Sequence, residues 1–317
     1  MDRNLALEAV RVTEAAAIYA SRYMGRGDEE LANDSAIEAM AKAFSSVSID
    51  GKIIIGETGK PGNILERGRE IGNKNGLAVD VALNPLDGKR SCASGGQNTI
   101  SSIAFGEEGS FFPAPPIYME KIAVGKGARG VIDITQPPDI NIKRIARAKD
   151  KYIEDITVCV LDRDRHVELI GYIRDAGARI KLIKDGDISG AIATAMEDSS
   201  IDILMGVGGA REGILAAAAI KSLGGDIQAR FVYRNDADRE MVIAAGEKDL
   251  DKIYMINDLV KGKDIMFSAT GVTDGELLKG VRFYSGGAET HSIVIRAKTH
   301  TFRSIAAMHY FDYKPMY

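Results

Sequence analysis

The sequence predicts an α/β protein, built as two lobes or as one large α/β unit, and three observations carry that reading. Its 317 residues exceed the roughly 100–200 typical of one domain. After about residue 150, β-rich runs alternate with helical patterns, a succession that implies strands joined by crossover helices. The β-rich runs "KIIIG" and "LAVDVAL" lead at once into polar, Gly-containing loops, and loops at strand ends are where α/β proteins keep their chemistry.

In chain order, Asn4 to Met24 is rich in Ala and Leu at helical spacing and stops at "GRGD", so it reads as a long first helix. Residues 30–46 repeat the helical pattern, and "KIIIG" and "LAVDVAL" follow as short strands. "TISSIAFG" reads as a further strand. The Pro-rich "FFPAPPIYMEK" reads as irregular chain whose tyrosine points into a cleft, because successive prolines remove ladder donors. Then come "ITVCVLD", a helix at 165–176, "ARIKLI", a helix at 188–197, "IDILMGVGG" and a helix at 212–222. The chain closes with strands at "DIMFSATG", "HSIVIRAK" and "SIAAMHYF". The change of rhythm divides the chain into an N-terminal lobe, 1–150, and a C-terminal lobe, 151–317.

Composition narrows the function class. Apolar residues at 45% and charged residues at 27% are globular values. A formal charge of −4 without long single-sign blocks gives no reason to expect nucleic acid or an anionic membrane, so a small-molecule partner is expected. Cys92 and Cys159 lie far apart with no metal-type spacing, which suits a reducing cytoplasm. No signal-peptide pattern is read in "MDRNLALEAV", and no stretch is long enough to span a bilayer.

Three strand ends carry candidate chemistry. "GVGGAREG" combines glycines with a helix start where backbone N–H groups suit an anion, and it places Glu212 where an acid binds metal or simply favours a helix N-terminus. "DGD" sets Asp185 and Asp187 around Gly186, as acceptors for sugar hydroxyls or as one helix cap. "LDRDRH" offers Arg163 and Arg165 for a forked grip on phosphate, with a solvated helix entry as the alternative; His166 beside them reads as structural.

Taken together, "GRGD", "IDGKIIIGE", "VDVALNPLDG", "YMEKIAVG", "LDRDRH", "DGD", "GVGGAREG" and "FSATGVTDGELLKGV" resemble, in order and near spacing, the class II fructose-1,6-bisphosphatases of bacteria, a family also linked to sedoheptulose 1,7-bisphosphate. The resemblance covers essentially the whole chain. It implies the layered α/β/α/β sandwich of lithium-sensitive, metal-dependent sugar phosphatases, in two lobes, working in carbohydrate metabolism and gluconeogenesis as a cytoplasmic homodimer or homotetramer. It also implies that Glu57, Asp87 and Glu212 are retained catalytic and metal-holding acids; Asp34, beside the altered position Asn33, is added as a metal candidate and Lys89, a departure from the pattern, as a catalytic one. Substrate contacts are implied at Gly88, Lys89, Tyr118, Arg163, Asp164, Arg165, Asp185, Gly186, Asp187, Gly209 and Arg211.

The departures from the family pattern share one electrostatic sign. Asn33 and Asn84 stand where the family has aspartates, and "GETGKPG" lacks the second Glu of its loop. Lys89 replaces Thr, Arg211 replaces Pro, and Lys60 adds a further cation. An amide keeps one neutral oxygen ligand and loses the full charge that holds a hard dication. The sequence therefore implies a sugar-phosphate grip with an altered metal site that takes Mn²⁺ or Mg²⁺ as one ion or none. Three functions are compatible: a sugar-bisphosphate phosphohydrolase; a diverged phosphosugar enzyme, either an isomerase with Glu57 or Asp87 moving the proton and Lys89 as an electrostatic clamp, or one using a buried, pKa-lowered Lys89 amine for carbonyl chemistry; or a non-catalytic sugar-phosphate sensor.

Overall fold

The computed structural model describes residues 4–59 and 62–313. Lys60, one of the expected cations, lies outside the described residues. The chain forms two mixed α/β units, each with one β-sheet flanked by helices, consistent with a layered sugar-phosphatase type of fold. The first unit comprises 1–111 and 262–317, the second 112–261.

The first unit opens with α1 (Leu5–Ser21) and α2 (Glu29–Phe44). "GRGD" works twice: Gly25 and Gly27 take the left-handed turn that ends the first helix, and the Asp28 carboxylate accepts the Leu31 N–H at 2.9 Å to cap the second. Next come β1 (Ile49–Ile55), β2 (Glu70–Ile71), β3 (Leu77–Asp87), α3 (Lys89–Ala93) and β4 (Ile100–Gly106).

The second unit follows with β5 (Tyr118–Val124), α4 (Pro138–Ala148), β6 (Thr157–Leu161), α5 (Val167–Asp175), β7 (Arg179–Ile183), α6 (Asp187–Ala193), β8 (Ile203–Gly209), α7 (Ala210–Ser222), β9 (Asp226–Val232), α8 (Asp236–Ala244), β10 (Tyr254–Met255) and α9 (Ile256–Leu259). The chain then returns to the first unit with β11 (Met266–Gly271), β12 (Arg282–Tyr284), β13 (Gly287–Arg296) and β14 (Thr301–Tyr310).

That return corrects the expected boundary at residue 150. β11 hydrogen-bonds antiparallel to β4, and β13 to β11, so the last strands complete the sheet ordered β12-β13-β11-β4-β3-β1-β2, with β14 on β13. Strand pairing across the intervening unit overrides sequence adjacency. α1 is tied to this returning segment by buried polar contacts: Thr13 Oγ1 lies 2.7 Å from Thr270 Oγ1, and Thr290 Oγ1 donates to Glu14 at 3.0 Å.

The second sheet runs β10-β9-β5-β8-β6-β7. Only β6, β7 and β8 are mutually parallel, joined by the expected crossovers; β5 is antiparallel to both β8 and β9. The tail of "FFPAPPIYMEK" is therefore strand, not irregular chain. Its prolines end before Tyr118, so every residue of β5 keeps its ladder donor. Both faces of the sheet are covered: Val158, Val160 and Ile203 share a core with Ile142, Ile145, Ile170 and Ile173 of α4 and α5. On the opposite face, Gly190 of α6 sits so close to Cys159 and Leu204 that a Cβ there would lie 2.9 Å from the Cys159 sulfur.

Candidate functional site

Each unit carries its own cluster of the residues singled out in the sequence. In the first, β3 passes Pro85, which has no N–H to give the ladder, and its register with β4 shifts between Asn84 and Asp87. The shift leaves Asn84 half-buried and Asp87 buried at the strand end. Gly88 then turns left-handed, φ 85°, a conformation that favours glycine, and α3 starts at Lys89.

Asn33 reaches across to Glu57. Its side-chain Nδ2 donates to Glu57 Oε2 at 3.4 Å, and Asn33 is only 7% exposed. Lys89 is 47% exposed and pairs loosely with Glu30 at 3.6 Å. The burial that amine chemistry at Lys89 requires is absent, because the side chain leaves the first turn of a short surface helix toward water.

In the second unit the strand ends gather a dense polar cluster. Arg163 Nη2 donates to Asp185 Oδ1 at 2.5 Å. Gly186, φ 85°, is the N-cap of α6, and α6 has no side-chain cap, so neither flanking aspartate is spent on capping. Arg165 donates through Nε and Nη2 to the Val207 carbonyl at 3.1 and 2.8 Å. Its guanidinium also lies 5.1 Å from the Tyr118 ring centre, and the Arg234 guanidinium lies at the same distance from that ring. Asp164 is exposed beside them.

His166 is structural. Its Nε2 accepts the Val207 N–H at 2.7 Å while Nδ1 lies 2.7 Å from the Leu161 carbonyl, so the proton sits on Nδ1. Burial, reinforced by the charges of Arg165 and Arg163, pulls its pKa below the ordinary value. Arg165 and His166 thus hold both backbone polar groups of Val207, its C=O and its N–H, fixing the Gly-rich end of β8.

Glu212 sits in the first turn of α7 with its carboxylate folded back over Gly209; a Cβ at 209 would lie 1.9 Å from Glu212 Oε2. Arg211 Nη2 lies 3.9 Å from Glu212 Oε1. Sequence reasoning missed Lys121 and Arg234. Lys121 is 3% exposed, with Nζ on Asp187 Oδ2 at 2.5 Å and on the Gly209 carbonyl at 3.0 Å. The signal was legible: once "YMEKIAVG" is a strand, alternation turns Lys121 to the same side as Met119 and Ala123, an inward place for a charge.

The metal requirement implied by the resemblance can be tested on these donors. Asn33 turns an amide donor, not an oxygen, toward Glu57, and Glu212 has a guanidinium for a neighbour. Among the described residues, no three His, Cys, Asp or Glu side chains gather as a group able to hold a metal ion. These donors do not fit a cage of several carboxylates around dications.

Comparison with known proteins agrees with the motif order. Residues 3–309 match the family described as bacterial fructose-1,6-bisphosphatase, glpX-encoded. The chain is 40% identical to the class 2 fructose-1,6-bisphosphatase of Haemophilus influenzae, covering 98% of each chain. It is 39% identical to the D-fructose 1,6-bisphosphatase class 2/sedoheptulose 1,7-bisphosphatase of Synechococcus sp. strain JA-2-3B'a(2-13), with 98% of this chain and 97% of that one covered. The protein of the same description from strain JA-3-3Ab is 38% identical over the same shares.

Proposed function

Because the chain belongs to the bacterial class II fructose-1,6-bisphosphatase family, an enzyme family of the phosphatase type, we propose that it hydrolyses a sugar bisphosphate, fructose 1,6-bisphosphate or sedoheptulose 1,7-bisphosphate, with an altered metal site. The observation that carries this reading is the second-unit cluster, where Arg163, Arg165 and Tyr118 adjoin the Asp185-Gly186-Asp187 turn. Guanidinium groups suit the planar, bidentate recognition of phosphate, and the paired aspartates suit sugar hydroxyls.

The roles follow from chemistry. Arg165, already fixed on Val207, presents a guanidinium whose geometry does not have to be organised when substrate arrives. Arg163 and Asp164 complete the anionic and hydroxyl contacts, with the Gly209 backbone allowing close approach. Glu57 and Asp87 are the first-unit acids assigned to orient water and manage its proton. Arg211 is the second-unit cation assigned to supply positive charge to a phosphoryl group. The metal requirement proposed here is one Mn²⁺ or Mg²⁺ ion or none. The active protein is proposed to be a cytoplasmic homodimer or homotetramer. No helix among the described residues is long and apolar enough to cross a membrane.

Phosphate release from fructose 1,6-bisphosphate and sedoheptulose 1,7-bisphosphate, with Mn²⁺, Mg²⁺ or EDTA, tests the proposal. Release that disappears in Glu212→Gln supports hydrolysis. Tight binding without release under any metal replaces it with the sensor reading, which the amide contact of Asn33 on Glu57 favours.

A further inference from the structure

Lys121 is the most deeply enclosed cation of the second-unit cluster and belongs to none of its expected contacts. Its side chain is 2% exposed, and an ammonium so placed is destabilising unless its donors are matched by acceptors. Two are in place: the Asp187 carboxylate at 2.5 Å and the Gly209 carbonyl at 3.0 Å. Space for it is cleared by glycine, since a Cβ at Gly208 would lie 2.8 Å from Lys121 Nζ and one at Gly213 would lie 3.2 Å from Lys121 Cδ. One side chain from β5 therefore ties the first residue of α6 to the turn between β8 and α7.

We propose that Lys121 is a positioning residue of the sugar-phosphate site: it fixes the Asp187 carboxylate and the Gly209 carbonyl in one arrangement, leaving Asp187 Oδ1 as the oxygen that accepts a sugar hydroxyl. This rests on the reading of the second-unit cluster as a phosphosugar grip. Lys121 itself contacts no substrate. Its ammonium is engaged by a carboxylate and a carbonyl, which removes it from amine chemistry as well. The contribution is specific to the hydroxyl-reading half of the ligand, because Lys121 acts through Asp187 and not through Arg163 or Arg165, whose own partners are Asp185 and Val207.

That division supplies the test. Calorimetric titrations with fructose 1,6-bisphosphate and with inorganic phosphate are compared for the full-length wild type, Lys121→Met and Gly213→Ala, with circular dichroism as the control for folding. Gly213→Ala is the gentler variant: alanine is the better helix former, and its methyl displaces Lys121 without removing the charge. The expected result is a dissociation constant for fructose 1,6-bisphosphate raised roughly 10- to 100-fold in Lys121→Met, a smaller rise in Gly213→Ala, and unchanged affinity for inorganic phosphate in both. Unchanged fructose 1,6-bisphosphate affinity in a folded Lys121→Met overturns the proposal, as does an equal loss for both ligands, which marks a scaffold role. Where Lys121→Met does not fold, Gly213→Ala decides by the same comparison. A wild type that binds neither ligand overturns the phosphosugar reading, and the proposal with it.

Discussion

Asn33 donates its side-chain amide to Glu57 at 3.4 Å, so a neutral donor lies beside this carboxylate. Two carboxylates at that separation repel unless a cation lies between them. Asn33→Asp is therefore expected to lose on the order of 1 kcal/mol of stability in EDTA and to regain it with Mn²⁺, since a ligand that binds only the folded state stabilises by mass action. Thermal unfolding of wild type and variant with and without Mn²⁺ checks this; equal melting in EDTA would remove the electrostatic argument.

Gly209→Ala separates site geometry from folding. The backbone at 209, φ −63° and ψ 144°, is open to any residue, so no strain arises. Its new Cβ would lie 1.9 Å from Glu212 Oε2, which obliges that flexible carboxylate to swing away. Unfolding is expected to change by less than about 1 kcal/mol while phosphate release falls about 100-fold, the scale of a misplaced catalytic group.

Arg165→Lys tests the fork. A lysine retains the charge but cannot make both donations to Val207 while placing a guanidinium over Tyr118. KM for the bisphosphate is expected to rise roughly tenfold with kcat nearly unchanged, the pattern of lost uniform binding. Steady-state kinetics across both candidate substrates read it directly.

His166 predicts a pH dependence with a definite sign. Burial lowers its folded-state pKa below the ordinary 6.5, and protonating Nε2 would lose the acceptor of the Val207 N–H. Above the ordinary value both states are neutral there and the contribution is complete. As pH falls through the ordinary value toward the lowered one, the unfolded chain takes up the proton first, and stability is lost. Denaturation midpoints from pH 8 to pH 5 should fall accordingly, and His166→Gln should remove this part of the slope while lowering stability at pH 8.

Much of this was legible in the sequence. The helices of Leu5–Ser21 and Ala210–Ser222 and the strands at Thr157–Leu161 and Ile203–Gly209 carry their periods and stop signals locally, and such signals survive translation into three dimensions. Motif order identified the family. The strand at Tyr118–Val124 was obscured by the prolines before it, and with it the inward-facing Lys121.

The sequence by itself determined which residues are present, most of the elements they form, and the exchange of acids for amides and of neutral residues for cations at positions read against the family pattern. Only the tertiary structure decided that β11–β14 return to the first sheet, that Asn33 meets Glu57, and that Asp185 and Asp187 go to different cations, Arg163 and Lys121. The physical reason is common to all three. Each is a pairing between groups distant along the chain, set by strand registry, helix rotation and the space left by glycine, and none of these is encoded in the local period of the sequence.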